Sequence, residues 1–236
     1  MATILLLETA TDVCSVGIAV DGRLAATATE PPPAAHAAHL TILIQRCLEQ
    51  AGLNPADLDA VAISAGPGSY TGLRVGASVA KGICYALNKP LIAVNTLDAL
   101  ACGMRDAQPE PRDACLFMPM LDARRQEVWT ALYDHQLRRL IPPQPLILEN
   151  NLFSFFETQT GLAAVQKKLV LGGNGSFKTA GGAYLPEAVA GPVVQCAAAF
   201  LLTAAEQKFN AADFEDIAYF EPFYMKPPNI TVSKKI

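Results

Sequence analysis

A single run, Gly66-Pro67-Gly68-Ser69-Tyr70-Thr71-Gly72-Leu73-Arg74-Val75-Gly76, limits the folds open to this chain more than any other stretch. Asp59 to Ser64, just upstream, is apolar and short enough for a buried strand. Leu73 to Leu87, just downstream, carries apolar residues at helical spacing and is followed by Asn88 and Pro90. A glycine-rich loop between a strand and a helix N-terminus aims backbone N–H groups outward, where they can hold an anion. The run therefore raises the expectation of an α/β fold with a phosphate cradle.

The remaining pattern supports the α/β class. Thr3 to Thr9 reads as a strand buried on both faces. Ser15 to Val20 and Arg23 to Thr27 flank Asp21-Gly22, a type I′ hairpin signal. Pro31 to Pro33 reads as loop. Leu40, Leu43, Ile44, Cys47, Leu48 and Ala51 lie on one face of a helix that Gly52 ends. Asn54-Pro55 reads as a further helix start. Pro90 to Val94 is a strand, and Thr96 is expected to cap a helix running to Met104. Composition turns polar between Arg105 and Arg112, which places a domain boundary there: residues 1–106 and 107–236. In the second part, Ala114 to Met120, Glu127 to Tyr133 and Lys168 to Leu171 read as strands. Pro142 to Pro145 reads as loop, and Cys196 to Phe209 as an alanine-rich helix. A three-stranded meander leading into parallel strands with crossover helices is half of a ribonuclease-H-like or actin-like unit. A smaller α/β half completes a duplicated two-domain architecture of mixed sheets flanked by helices.

Composition excludes several functions. With 236 residues and 51% hydrophobic side chains, the chain can bury a core without metal or disulfide staples. A net charge of −4 speaks against direct, charge-driven nucleic-acid binding, which needs a concentrated basic surface. The six cysteines form no Cys-x-x-Cys pair, which suits reduced, buried thiols in a cytoplasmic protein. No apolar run reaches membrane-spanning length.

The chemical candidates are sparse. A nucleotide P-loop needs Lys and Ser/Thr after its last glycine, and here Gly72 is followed by Leu73-Arg74-Val75. Gly72, Gly76 and Ala80 form a smooth helix stripe open to close packing. Arg74, Ser78, Lys81 and Tyr85 form a second stripe; one of the two can serve the core while the other faces solvent or a partner. His36 and His39 lack a neighbouring third ligand, and His135 has no ligand partner nearby in sequence. Glu8 to Thr11 ends the first strand where actin-like ATPases bind phosphates, but without their glycine. The acids and arginines of Met120 to Trp129 can pair within their turn or reach a partner through an arginine fork. Gly172-Gly173-Asn174-Gly175 suits a tight turn, and Ser69 is not in a Gly-x-Ser-x-Gly elbow.

Several of these segments together resemble the TsaB (YeaZ) family of tRNA threonylcarbamoyladenosine biosynthesis: Ile4 to Thr9, the Gly66 to Gly76 run, Ala80-Lys81-Gly82, Asn88-Lys89-Pro90, and Asp122-Ala123-Arg124 with Glu127. The glycine run also resembles the catalytic relative TsaD. Catalytic relatives carry a His-x-x-x-His metal pair, and the matching positions here are Thr96 and Leu100. The resemblance therefore implies an actin-like (ASKHA) fold with no catalytic residues, no cofactor and no metal. It implies a subunit that binds and activates a TsaD-type subunit alongside the ATPase TsaE, forms a homodimer in isolation, and meets tRNA only through the complex. The implied partner face comprises Leu40, Leu43, Ile44 and Cys47 of the first helix, with Gly72, Leu73, Arg74, Gly76, Ala77, Ala80 and Lys81 of the second. The alternatives are a degenerate actin-like ATPase acting alone, and a peptidase.

Overall fold

The computed structural model describes residues 2–31, 35–109, 111–148, 167–179, 188–193 and 195–226. The first half opens with β1 (Thr3–Glu8), β2 (Cys14–Val20) and β3 (Arg23–Glu30). Asp21 and Gly22 both take positive φ, 49° and 75°, as a two-residue I′ turn requires. Helix α1 (His36–Ala51) follows, then β4 (Ala60–Ser64), α2 (Tyr70–Leu87), β5 (Leu91–Val94) and α3 (Thr96–Ala107). These strands form one sheet in the order β3-β2-β1-β4-β5, antiparallel across the meander and parallel from β1 to β5.

The second half repeats this plan. β6 (Cys115–Asp122), β7 (Glu127–Tyr133) and β8 (Arg139–Ile147) form an antiparallel meander, and β9 (Lys168–Gly172) and β10 (Val189–Ala190) add in parallel. The order β10-β9-β6-β7-β8 is that of the first sheet read backwards. A last helix, α4 (Leu202–Asn210), follows a single 3₁₀ turn at Ala198–Leu201. The fold is α/β and actin-like.

Both faces of β1 are buried, which its unbroken apolar run anticipates. Leu5 and Leu7 pack with α1 and α2, while Ile4 and Leu6 pack with Ala198, Leu201 and Ala205. Helix α3 lies between the sheets: Leu97, Leu100, Ala101 and Met104 meet Phe117, Tyr133 and Val170 of the second. Asp98 fixes that contact, accepting from Tyr133 Oη at 2.6 Å and from the Arg139 guanidinium.

Several elements differ from their sequence reading. Pro142 to Pro145 is not loop but part of β8. That strand is at the edge of the described sheet, and its register with β7 breaks opposite Pro142 and Pro143, both settings that tolerate a missing N–H. Asn95, not Thr96, caps α3, its Oδ1 accepting from Leu97 N at 3.0 Å and Asp98 N at 3.4 Å. Helix α1 begins four residues before Leu40, and α2 begins at Tyr70, where the Ser69 hydroxyl accepts from Gly72 N. Pro55–Asp57 is one 3₁₀ turn held by an Asn54/Asp57 capping box. The run from Cys196 is extended until Ala198, whose N–H donates to Ser15 Oγ at 3.1 Å; the bond pins it to β2 and delays the helix. Pro32, Pro33 and the lysines near the end lie outside the described residues.

The packing of α2 on β1 sets what each helix glycine tolerates. A Cβ on Gly72 would lie 2.2 Å from Thr9 O, whereas one on Gly82 meets nothing within 4 Å. Gly82→Ala is expected to stabilise the fold by about 0.5–1 kcal/mol through helix propensity. Gly72→Ala is expected to destabilise it by about 1–3 kcal/mol through overpacking. Urea unfolding of both variants checks the contrast.

Candidate functional site

The glycine run sits where β1, β4 and α2 converge. Gly66 has φ 104°, a region that side chains avoid, and the Gly66-Pro67 peptide is cis. Its N–H donates to Thr96 Oγ1 at 3.1 Å, and its carbonyl accepts from Thr96 N at 2.9 Å. Ser69 N donates to Ala10 O at 2.6 Å, and a Cβ on Gly68 would lie 2.3 Å from that oxygen. A Cβ on Gly76 would lie 2.3 Å from Thr9 Oγ1. The glycines therefore bring the loop and helix onto the end of β1, where Thr9 and Ala10 occupy the places a side chain would need.

This overturns the expected direction of the smooth stripe. Gly72, Gly76 and Ala80 face the chain's own sheet, and Leu73 and Ala77 are buried beside them. Leu40, Leu43, Ile44 and Cys47 are likewise buried, in the cluster beneath α1. A side chain already enclosed by its own core has no surface left to give a partner. Of the eleven residues, only Arg74 is exposed and Lys81 half-buried.

What covers the outer flank of α2 is a segment the sequence reading missed, residues 215–224. Glu215 N donates to Leu91 O at 2.9 Å and Phe223 N to Ala65 O at 2.7 Å. Lys81 Nζ donates to the carbonyls of Ala218 (3.3 Å) and Phe220 (3.2 Å), and the Phe220 side chain enters the core. The Tyr224 ring lies 4.9 Å from that of Tyr70. The aromatic run Phe220, Phe223, Tyr224 around Pro222 was the available signal. Between this segment and α2 lies a cleft of about 310 Å³, lined by Tyr70, Arg74, Ser78, Lys81, Glu221 and Tyr224. Arg74 crosses its mouth, donating to Tyr70 Oη at 2.7 Å. Beyond the cleft, large apolar side chains stand in solvent on both helices and on the segment: Ile42 is 55% exposed, Tyr85 85% and Tyr219 84%.

The position where actin-like ATPases hold phosphate contains a buried acid. Glu8 is 1% exposed; its Oε1 accepts from Ala10 N at 2.6 Å and Ser64 Oγ at 3.0 Å, while Oε2 has no hydrogen-bond partner. Burial raises its pKa to about 7, against the smaller opposing effect of those two bonds. The nearby thiols of Cys14 and Cys196 are pushed up chiefly by burial and also by the Glu8 charge. The second glycine run is closed in the same way: a Cβ on Gly173 would lie 2.3 Å from Met120 O, and one on Gly172 2.7 Å from Met104 Sδ.

Other candidates separate in space. His36 Nε2 bonds Val13 O at 3.1 Å, whereas His39 faces Glu30 at 3.9 Å, so the two rings do not converge. Thr96 is committed to Gly66, and Leu100 is buried against the second sheet. The carboxylates of Asp122 and Glu127 do not pair with the arginines of their own turn. Lys178 takes the first at 2.5 Å and Lys226 the second.

A family model described as "TsaD: tRNA N6-adenosine threonylcarbamoyltransferase" matches residues 31–224. The chain belongs to this family, within its TsaB (YeaZ) group. It is similar to the tRNA threonylcarbamoyladenosine biosynthesis protein TsaB of Bacillus subtilis, with 33% identity over 48% of each chain. It is 46% identical to a tRNA N6-adenosine threonylcarbamoyltransferase of Erythrobacter litoralis, over 32% of this chain and 22% of the relative. A solved Pseudomonas aeruginosa structure, described as an uncharacterized protein with similarity to peptidase YEAZ, matches at TM-score 0.80. Identity is 26%, over 96% of this chain and 100% of that one. The matched stretch spans about half the length of the curated TsaB relatives.

The buried acid has a pH signature. Its pKa is higher folded (about 7) than unfolded (4.5). The protonated form is the one the fold favours, so the stability Glu8 contributes is fully present below pH 4.5, is lost as pH rises to 7, and is absent above. The loss is up to about 3 kcal/mol. Glu8→Gln is expected to lose this component, so the wild-type-minus-variant stability difference should slope across that window. Denaturant unfolding from pH 4.5 to 8 measures it; a flat difference refutes the assignment.

Proposed function

We propose that this chain is a non-catalytic subunit of the apparatus that forms threonylcarbamoyladenosine in tRNA. Its role in this reading is to dock on a TsaD-type catalytic subunit and activate it with a TsaE-type ATPase. The observation that carries the reading is the contrast between the two sides of α2. The inner side is spent on the chain's own sheet, with its glycines closed onto Thr9 and Ala10. The outer side, with α1 and the 215–224 segment, exposes Ile42, Tyr85 and Tyr219. Large exposed side chains gathered on neighbouring elements are the usual mark of a protein interface. Two helices and a segment can supply a standard interface of about 1,600 Å² in total.

The names of the relatives support the pathway, and the similarity to transferases supports a partner built on the same fold. Absence of catalysis is supported by chemistry. Thr96 and Leu100 occupy the places of a histidine pair, both enclosed, and Glu8 has no solvent-facing charge to offer a metal–nucleotide complex. The same exposed strip accounts for self-association when the partner is missing. Among the described residues no helix is long and apolar enough to cross a membrane, and the reading places the protein in the cytoplasm with tRNA.

The test is calorimetric titration against a TsaD-type subunit. Tyr85→Asp and Ile42→Asp are expected to weaken binding roughly tenfold or more, about 1.4 kcal/mol or above, without changing the melting temperature. Ala80→Leu, which overfills the core, is expected to lower the melting temperature instead. Wild-type affinity in both aspartate variants refutes the docking face. Turnover of Mg-ATP by the chain alone would make it an ATPase.

A further inference from the structure

The hairpin between β6 and β7 ends in a tip that the docking face does not use. Its backbone turns through two successive left-handed residues, Arg124 (φ 70°) and Arg125 (φ 50°), where glycine or asparagine is the ordinary choice. Ala123 N donates to Glu127 O at 3.1 Å and Glu127 N to Arg124 O at 3.2 Å, closing the turn. Lys178 braces it from the neighbouring segment, with its Nζ 2.5 Å from Asp122 Oδ1, 2.7 Å from Arg125 O and 2.9 Å from Glu127 O. Lys226 pairs with the Glu127 carboxylate.

The effect is an inversion of charge. Both carboxylates of the turn are neutralised by lysines from elsewhere, and both guanidiniums stand exposed with no carboxylate partner among the described residues. The segment that braces the turn also carries an exposed aromatic ring. Phe177 is the chain neighbour of Lys178 and is 63% exposed, although its segment is anchored by Gly175 N to Met120 O at 2.9 Å. A braced tip therefore presents two planar forks, and the segment that braces it presents an exposed ring. Guanidinium forks match phosphate oxygens, and an exposed ring on the bracing segment matches the face of an unstacked base.

We propose that this tip is an RNA contact: Arg124 and Arg125 engage backbone phosphates of a single-stranded loop, and one base stacks on Phe177. The proposal rests on the tRNA reading above, which supplies an RNA as the complex's substrate, and it assigns part of that substrate's recognition to this chain. An acidic protein segment would satisfy the forks but would leave the ring without a flat partner, so RNA accounts for more of the site. Because the chain as a whole is net negative, the contact is local and salt-sensitive, and it works chiefly within the complex.

Fluorescence anisotropy with a labelled RNA hairpin carrying a single-stranded loop tests this, alongside a fully paired RNA duplex. Each is titrated with the full chain alone and with the chain saturated by a TsaD-type subunit. The double variant Arg124→Gln/Arg125→Gln is expected to bind the hairpin roughly tenfold or more weakly. Its plot of log affinity against log salt should be shallower by about one to two. Phe177→Ala is expected to weaken hairpin binding roughly fivefold or more with the salt slope unchanged, and Phe177→Trp to restore it. Unchanged melting temperatures separate these losses from misfolding. The inference is overturned if the wild type binds neither RNA in either setting, or if all variants keep wild-type affinity. It is also overturned if duplex and hairpin bind alike with Phe177→Ala silent, or if the tip variants weaken only subunit docking. A chain that binds RNA through these residues yet does not bind the TsaD-type subunit would uphold the tip and refute the docking reading.

Discussion

The end of β1 against the glycine run is the contact on which the rest of the first half depends. Thr9 and Ala10 leave the strand where a side chain on Gly68, Gly72 or Gly76 would have to sit. Three close approaches in one helical turn and its lead-in draw α2 down onto the sheet. They set the helix's rotation as well as its height, because glycines and Ala80 lie on one stripe. With the stripe fixed inward, Arg74, Ser78 and Tyr85 have to face outward. The same contact brings the loop onto the strand end, so a single packing decision fixes which side of α2 is buried and which is left exposed.

Glu8 shows how far that closure goes. A carboxylate serving a metal–nucleotide complex needs water or cation within reach to remain charged. Here one oxygen is held by Ala10 N and Ser64 Oγ, and the other meets neither a donor nor solvent. The acid stays near β1 because its first oxygen organises the strand's exit, receiving the amide that begins the turn toward Thr11. It is structurally employed and chemically enclosed. The second half repeats the strand order and closes its own glycine run, at Gly172 and Gly173, while its hairpin tip is braced by Lys178.

Much of the fold was legible because local signals and burial agreed. Period-two and unbroken apolar runs located most of the strands, Asp21-Gly22 specified the hairpin, and the order of elements exposed the duplication. The failures share a cause: each depended on what lay across space. Pro142 to Pro145 could join a strand because β7 lies on one side and, among the described residues, no strand pairs on the other. Asn95 and Thr96 are both capping residues, and Gly66 decided between them by occupying the threonine hydroxyl. The acids of the β6–β7 turn had two arginines beside them in sequence, yet took lysines 56 and 99 residues away.

The smooth stripe on α2 carries the more general lesson. A small residue in a helix reports that some backbone comes close; it does not report whose backbone. Periodicity gives the stripe, and two stripes of comparable quality were present, one small and one polar. Choosing the small stripe as the interface assumes that close packing occurs between chains, whereas the nearest backbone to any helix in an α/β fold is normally the strand that precedes it or pairs beside it. Gly72 and Gly76 were spent on β1, the strand beside β4. An interface has to be built from what the subunit's own core leaves over, the large exposed side chains that sequence patterning scores as misplaced. Tyr85 and Tyr219 are exposed in that way, and so, in the turn after β9, is Phe177.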